Sequence, residues 1–121
     1  MSFIYTKQRE NPEAITDLMN SLKKNGFIAP DTAVSDFRHL FTGKTVNNPI
    51  LWTTYFGGLL DLFRQLNVNK LIQYEGNNIY KIVCACFVDE NGNFFNEIKF
   101  RNAKISKIIA PKIIKAVNLM K

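Results

Sequence analysis

The sequence is poor in the residues from which metal and redox sites are built. It has one histidine, His39, and two cysteines, Cys84 and Cys86, in 121 residues. A lone histidine without cysteine or carboxylate partners at ligand spacing does not predict a metal site. Two cysteines separated by a single residue are too few and too close for a disulfide framework. We therefore expect no metal and no cofactor, and a reducing, cytoplasmic environment.

Sequence motifs of enzymes and membrane proteins are missing as well. The six glycines form neither of the Gly-rich loops that hold nucleotide phosphates, and no pair of carboxylates is spaced for acid–base catalysis. No apolar run approaches the roughly 20 residues that a bilayer-spanning helix needs, and the N-terminal sequence lacks a signal-peptide pattern. We therefore expect a protein that is not an enzyme and has no membrane partner.

What the sequence does contain predicts one folded domain, residues 1–121. Hydrophobic residues make up 46% of the chain, with 10 Phe and 4 Tyr, and this length supports a single modest core. The apolar pattern is mostly helical. We predict a mainly α fold, a compact helical bundle with at most a short β-ribbon near residues 86–96, and we leave an α+β fold open.

The densest apolar stretch predicts a central helix with Thr53 as its N-cap. Its glycine pair, Gly57 and Gly58, costs roughly 1 kcal/mol per residue relative to alanine, which is tolerated where another element comes close to the backbone. We therefore predict packing on more than one side. The apolar stripe comprises Phe56, Leu59, Leu60, Phe63 and Leu66.

Two further helices precede this one, and residues 50–52 lead into it as an extended segment. The first helix has Asn11 as its cap and Pro12 in its first position, and it ends at Asn25-Gly26. The second is capped by Thr32 or Ser35 and ends before Gly43.

Residues 79–87 fit two structures. As a helix capped by Asn77 or Asn78 they place apolar side chains at helical spacing, whereas as a strand they would form a hairpin with Phe94-Phe95. The helix accounts for more residues. On a helix Cys84 and Cys86 point apart, with Cys86 in the core and Cys84 at the side.

Charge is divided unevenly along the chain. Residues 1–40 carry five basic and five acidic side chains, and residues 41–100 again carry five of each. Residues 101–121, the basic C-terminal segment, carry six basic and no acidic side chains, which accounts for the net charge of +6. Such a segment indicates an anionic partner; a solvated helix face is an equal alternative.

The basic C-terminal segment also has the apolar spacing of an amphipathic helix, with Pro111 either starting a new helix or kinking one. So many large apolar residues in a short piece favour packing on the domain, with the lysines facing solvent. The stripe comprises Ile105, Ile108, Ile109, Ile113, Ile114, Val117 and Met120.

The order of these segments along the chain is similar to that in a known family. The segments are, in order, Trp52-Thr53-Thr54 with Leu59, Leu60, Leu62, Phe63 and Leu66, the helix over residues 79–87, an acidic-Gly turn, and Phe94-Phe95 before residues 97–102. This order resembles RteC-type regulators of Bacteroides conjugative elements, although Gly57-Gly58 replaces the polar start of that helix. Residues 36–44 resemble a motif of small Bacteroidetes proteins. The resemblance implies a winged-helix-like, DNA-binding fold.

Two functions are therefore expected. The first is a small DNA-binding regulatory module of a mobile element, and the second is a protein-interaction or dimerisation module that does not bind nucleic acid. In the first, phosphate contacts come from the basic side chains. These candidate residues are Lys99, Arg101, Lys104, Lys107, Lys112 and Lys115.

Overall fold

Helices carry most of the regular structure, as the apolar spacing predicts. The computed structural model describes all of residues 1–121. Its helices are α1 (Ala14–Lys24), α2 (Val34–His39), α3 (Phe56–Val68), α4 (Ile79–Cys86), α5 (Glu97–Arg101) and α6 (Ala110–Asn118). Its strands are β1 (Ile4–Tyr5), β2 (Ile50–Leu51), β3 (Ile72–Gln73) and β4 (Phe87–Val88). The fold is helix-dominated with a small β component, and none of its helices combines the length and apolar character needed to cross a bilayer.

The strands form two pairs that the sequence did not predict. β1 pairs with β3 in antiparallel fashion, and β2 pairs with β4 in parallel. The ribbon expected near residues 86–96 is reduced to one antiparallel bridge, Val88 with Phe94. Phe87 and Val88 instead pair in parallel with β2, and the Trp52 N–H donates to the Val88 carbonyl oxygen at 2.9 Å. This pairing brings the end of α4 beside the extended segment before α3.

α3 is the central helix and packs on several sides, as predicted. It contacts α4, α5, α6 and β3, and seven of its residues, including both glycines, are buried. A Cβ on Gly57 would clash with the backbone oxygen of Lys104, and one on Gly58 would lie 3.2 Å from Ile109. The glycine pair therefore lets the chain between α5 and α6 lie directly against the start of α3.

Two predicted N-caps are wrong because their side chains are used elsewhere. The hydroxyl of Thr53 donates to the carbonyl oxygen of Gly26 at 2.6 Å, and α3 begins later, after Tyr55, without a side-chain cap. The amide of Asn11 donates to the Leu119 carbonyl oxygen at 3.2 Å. Both side chains thus join segments that are distant in sequence instead of starting a helix.

The caps of α2 and α4 have opposite outcomes. Neither Thr32 nor Ser35 caps α2, and the Thr32 hydroxyl donates instead to the Ala29 carbonyl oxygen at 2.6 Å. The helix chosen for residues 79–87 is confirmed over the hairpin through Cys86, and Asn78 caps it by accepting from the Lys81 N–H at 3.3 Å.

The end of the basic C-terminal segment is tied to the start of the chain. α6 packs against α3 and α1, and side chains near the N-terminus satisfy carbonyl groups that follow its last turn, as helix ends require. The bonds are Tyr5 hydroxyl to Met120 oxygen, Lys7 ammonium to Lys121 oxygen and Asn11 amide to Leu119 oxygen. These three bonds fix how α6 is oriented on the body.

Candidate functional site

The predicted phosphate-binding side chains are all exposed, but they lie on three consecutive segments of the chain. Two are on α5, two are in the connection between α5 and α6, and two are on α6. Lys112 and Lys115 are three residues apart on one helix and therefore share a face. In chain order the residues are Lys99, Arg101, Lys104, Lys107, Lys112 and Lys115.

Arg101 differs from the lysines because it has partners within the protein. Its guanidinium lies 3.4 Å from the Glu97 carboxylate and 5.0 Å from the centre of the Tyr80 ring. Arg64 approaches the same ring at 5.7 Å and donates to the Tyr80 hydroxyl, while Glu97 also accepts from Asn78 at 2.7 Å. Arg101 therefore helps to hold α5 against α4 and is only partly available to a phosphate.

α6 begins at Ala110 with Pro111 in its first turn, which resolves the alternative left open at Pro111: a new helix starts there. Its inner face buries Ile113, Val117 and Met120 with almost no exposure. Because these residues anchor one side of the helix, Lys112 and Lys115 project from the other side into solvent. This part of the prediction, an apolar face on the domain with lysines outside, is confirmed.

Most of the rest of the apolar stripe is exposed, although Ile109 packs against the core beside Gly58. Residues 102–109 precede α6 as a connection without regular helix, so helical spacing does not apply to them. Ile108 is 77% exposed, Ile105 is also exposed, and Ile114 lies on the outer side of α6 at 47% exposure. The prediction of a continuous buried stripe is therefore wrong, and the basic C-terminal segment presents isoleucines as well as lysines to solvent.

A groove that the sequence reasoning missed lies beside this segment. It has a volume of about 560 Å³ and an open mouth. Buried Trp52 and Phe100 form its floor, while Tyr55 and Phe94 are 46% and 56% exposed along it. We call it the aromatic groove; its lining is Trp52, Thr54, Tyr55, Phe56, Asp89, Glu90, Asn91, Phe94, Phe95, Asn96, Lys99 and Phe100.

The walls of the aromatic groove come from three places in the chain. The start of α3 and the turn before it supply Phe56 and Tyr55, the turn after β4 supplies the acidic residues, and α5 supplies Lys99. Two aromatic pairs, Tyr55-Phe56 and Phe94-Phe95, were the available signal. The parallel β2–β4 pair, which the spacing could not reveal, lies directly before both turns and brings them together.

The two carboxylates in the aromatic groove have different roles. Asp89 accepts from the backbone N–H groups of Asn91 and Asn93 at 2.9 and 3.0 Å, so it builds the turn. Glu90 is exposed and makes neither a side-chain hydrogen bond nor an ion pair, and Lys99 also has no ion-pair partner. The groove thus offers one carboxylate and one ammonium group for a ligand.

Neither cysteine is placed for thiol chemistry. Both are buried, which corrects the expectation that Cys84 lies at the side of α4. Burial raises the pKa of each thiol to about 11, reinforced at Cys84 by the charge of Glu97. A thiol with such a pKa is almost fully protonated near neutral pH and is a poor nucleophile. Nowhere do three histidine, cysteine or carboxylate side chains come together to hold a metal ion.

The candidate phosphate-binding side chains and the aromatic groove are adjacent at α5, because Lys99 belongs to both. Comparison of the chain with protein-family models, with curated proteins and with solved structures finds no match.

Proposed function

We propose that the protein binds duplex DNA through its basic C-terminal segment and Lys99. The observation that carries this proposal is the separation of charge: residues 101–121 hold six basic and no acidic side chains. Lys104, Lys107, Lys112 and Lys115 are all exposed and none is in an ion pair. These side chains can meet an anionic surface without first breaking an internal contact.

The lysines supply affinity without sequence selection. Each phosphate that a lysine neutralises releases a counterion, so the binding constant falls steeply with added salt. Four such contacts give a slope of about −3.6 in a plot of log affinity against log salt concentration. Contacts of this kind position the protein on the backbone of the duplex, whereas base contacts specify sequence.

We further propose a winged-helix-like fold and a relationship to RteC-type regulators of mobile elements. The turn after α4 supports this: α4 runs into β4, and a single bridge between Val88 and Phe94 closes a tight turn after it. α3 is unsuited to enter a DNA groove because packing surrounds it. α5 is better placed, since Lys99 and Asn102 are exposed on and just after it.

The test compares two variants that lose the same charge. One changes Lys104, Lys107, Lys112 and Lys115 to glutamine, and its control changes four lysines elsewhere on the surface. Binding to a fluorescent duplex is measured by anisotropy at about 50 and 200 mM salt. The control lysines are Lys24, Lys44, Lys70 and Lys81.

We expect the parent and the control to bind with a steep salt dependence and the segment variant to lose most of both affinity and slope. Equal losses in the two variants would mean that only net charge matters. Absence of parent binding at the lower salt concentration would refute the proposal.

A second function, protein–protein interaction or dimerisation, is favoured by the exposed isoleucines. Ile98 is 73% exposed, close in sequence to the basic segment that also exposes Ile108. Exposed aliphatic side chains of this kind favour a protein contact over a phosphate contact. Sedimentation of the parent and of the double variant Ile98→Ser, Ile108→Ser tests this function. Self-association that does not depend on salt concentration and is lost in the variant supports it. A monomeric parent refutes self-association.

A further inference from the structure

The aromatic groove has the three recognition elements that a nucleobase requires. It has ring faces for stacking, an acceptor for the N–H groups on the base edge, and a cation for the phosphate of the same nucleotide. We propose that the aromatic groove binds an unpaired guanine, as a free guanine nucleotide or within a single strand. This inference rests on the proposed nucleic-acid binding and deepens it.

The stacking surface comes from side chains that the core does not need. Tyr55 and Phe94 keep about half of their surface in solvent, although buried rings lie next to them. Phe56 and Phe95 are half-buried behind them with ring centres 6.1 Å apart. Aromatic faces of this kind stack on any base, so they explain binding of a base but not the choice among bases.

The Glu90 carboxylate supplies the selectivity for guanine over the other bases. Asp89 is committed to the backbone of its own turn, whereas the Glu90 carboxylate has no partner. An ionised carboxylate only accepts hydrogen bonds and can take two parallel N–H donors. Guanine presents N1–H and its 2-amino group side by side, while adenine and cytosine each present a single amino group on that edge. Guanine therefore satisfies this carboxylate best.

Lys99 favours a nucleotide over a cationic peptide as the occupant. Its exposed ammonium group lines the same groove from α5 and would repel an arginine or lysine side chain, but it suits the phosphate of a bound nucleotide. The exposed residues Arg101 and Lys104 follow closely along the chain and can contact the neighbouring phosphates of a strand. A base paired within a duplex keeps its Watson–Crick edge covered, so the groove requires an unpaired base.

The test uses inosine, which has the guanine ring system without the 2-amino group. A fluorescent thymidine oligonucleotide of about 12 residues carries one central guanosine or one central inosine. Binding by the full chain is compared with that of Glu90→Gln and of the control Glu75→Gln, which removes an exposed carboxylate from a turn outside the aromatic groove. Duplex binding by all three proteins is measured in parallel.

We expect the parent and the control to bind the guanosine strand about tenfold more tightly than the inosine strand, as one lost charge-assisted hydrogen bond predicts. In Glu90→Gln the ratio should fall to about twofold or less, with duplex affinity unchanged. A ratio near one in the parent, or a ratio that survives in Glu90→Gln, would overturn the inference while duplex binding still stands. If the parent does not bind the duplex but still prefers the guanosine strand, the proposed duplex function alone is overturned.

A second measurement separates the two sources of guanine and tests a peptide as the occupant. Amide chemical shifts of the labelled protein are followed on addition of guanosine monophosphate, inosine monophosphate or N-acetyl-arginine amide. Shifts at Thr54, Glu90 and Lys99 with guanosine monophosphate support a free nucleotide as the ligand. If these shifts are absent but the protein still prefers the guanosine oligonucleotide, the ligand is guanine within a single strand. Shifts there with the arginine compound alone would assign the groove to a basic peptide and overturn the inference.

Discussion

The central helix α3 and the last helix α6 pack against each other, yet they use their surfaces in opposite ways. α3 is buried on several sides, has no lysine, and gives even its glycines to close contact. α6 buries only one side, around Ile113 and Val117, and directs its lysines into solvent. Packing therefore buries seven of the thirteen residues of α3 but only three of the nine residues of α6, whose outer side is left for a partner.

This difference shows where a binding function can lie in so small a domain. A helix that holds the core together presents few of its side chains to a ligand, because most of its residues contact other residues of the protein. The candidate binding surfaces are the outer side of α6, the connection before it, and the aromatic groove beside α5. Each of the following predictions changes one residue to test this contrast between buried and exposed surfaces.

The largest effect is expected from the inner side of α6. Ile113→Ala removes a fully buried side chain and should lower the free energy of unfolding by about 3 kcal/mol, through lost burial and the cavity that remains. Its neighbour Ile114 is about half exposed, so Ile114→Ala should cost less than about 1 kcal/mol. Urea denaturation of both variants measures the difference. Similar losses at the two positions would contradict the assignment of the two sides.

The second prediction concerns the contact between α3 and the connection before α6. Gly57→Ala places a methyl group against the Lys104 carbonyl oxygen, a backbone atom that cannot move alone. We expect a loss of about 2 kcal/mol in unfolding free energy, because overpacking outweighs the gain in helix propensity. Chemical denaturation measures this loss, and displacement of the connection should appear as shifted amide signals of residues 102–109.

Gly58→Ala is the matched control for this clash. Its added methyl group would meet the side chains of Ile109 and Trp52 at 3.2 and 3.4 Å, and side chains can adjust by the few tenths of an ångström required. Its stability should therefore stay within about 1 kcal/mol of the parent. A larger loss at Gly58 than at Gly57 would show that α3 is not approached by the backbone of the connection.

Much of this arrangement could be predicted from the sequence wherever apolar residues keep a helical spacing over several turns. The buried stripe of α3, the close approach at Gly57-Gly58, the end of α1 at Asn25-Gly26 and the helix from Ile79 are all confirmed. In each case the signal is local, since helical spacing and capping residues act within a few turns of the chain.

The errors have a common physical cause, which is that tertiary contacts override local signals. Thr53 and Asn11 are good capping residues, but distant carbonyl groups take their hydrogen bonds. The isoleucines before Pro111 continue the spacing of α6 without being in a helix. The aromatic groove depends on the parallel pairing of β2 with β4, and two-residue strands leave almost no pattern in a sequence.

A smaller effect is expected at the bonds that fix the end of α6. Tyr5→Phe removes the hydroxyl that donates to the Met120 carbonyl oxygen and leaves that acceptor without its partner. Unfolding free energy at pH 7 should fall by about 1 kcal/mol. Denaturation measures this, with Asn11→Ala, which removes the more exposed bond to Leu119, as a milder comparison. No loss in Tyr5→Phe would mean that solvent satisfies the carbonyl group equally well.

The same tyrosine predicts how stability changes at alkaline pH. Burial raises the pKa of Tyr5 above its ordinary value of 10.0, so the folded state keeps this proton longer than the unfolded state. Its contribution is complete below pH 10 and is lost as the pH rises through the folded pKa. Tyr5→Phe should show a shallower loss of stability over this range than the parent, and parallel curves would refute the assignment.

The smallest effect is expected from Asp61, the one carboxylate of α3. Burial raises its pKa above the ordinary 3.8, although a hydrogen bond from Gln65 and the charge of Arg64 act against this shift. The folded state therefore favours the protonated form, and stability is lost as the pH rises from 3.8 through the folded pKa.

Asp61→Asn should accordingly raise the unfolding free energy at pH 7 by a few tenths of a kcal/mol, roughly the scale of a partly exposed charge, and the gain should vanish below pH 3.8. Asp31→Asn, an exposed loop variant, controls for the loss of one negative charge. A gain that Asp31→Asn shares would reflect net charge alone. A gain confined to Asp61→Asn at neutral pH would show that α3 keeps a charge at a cost in stability, whereas the exposed lysines of α6 carry theirs without desolvation.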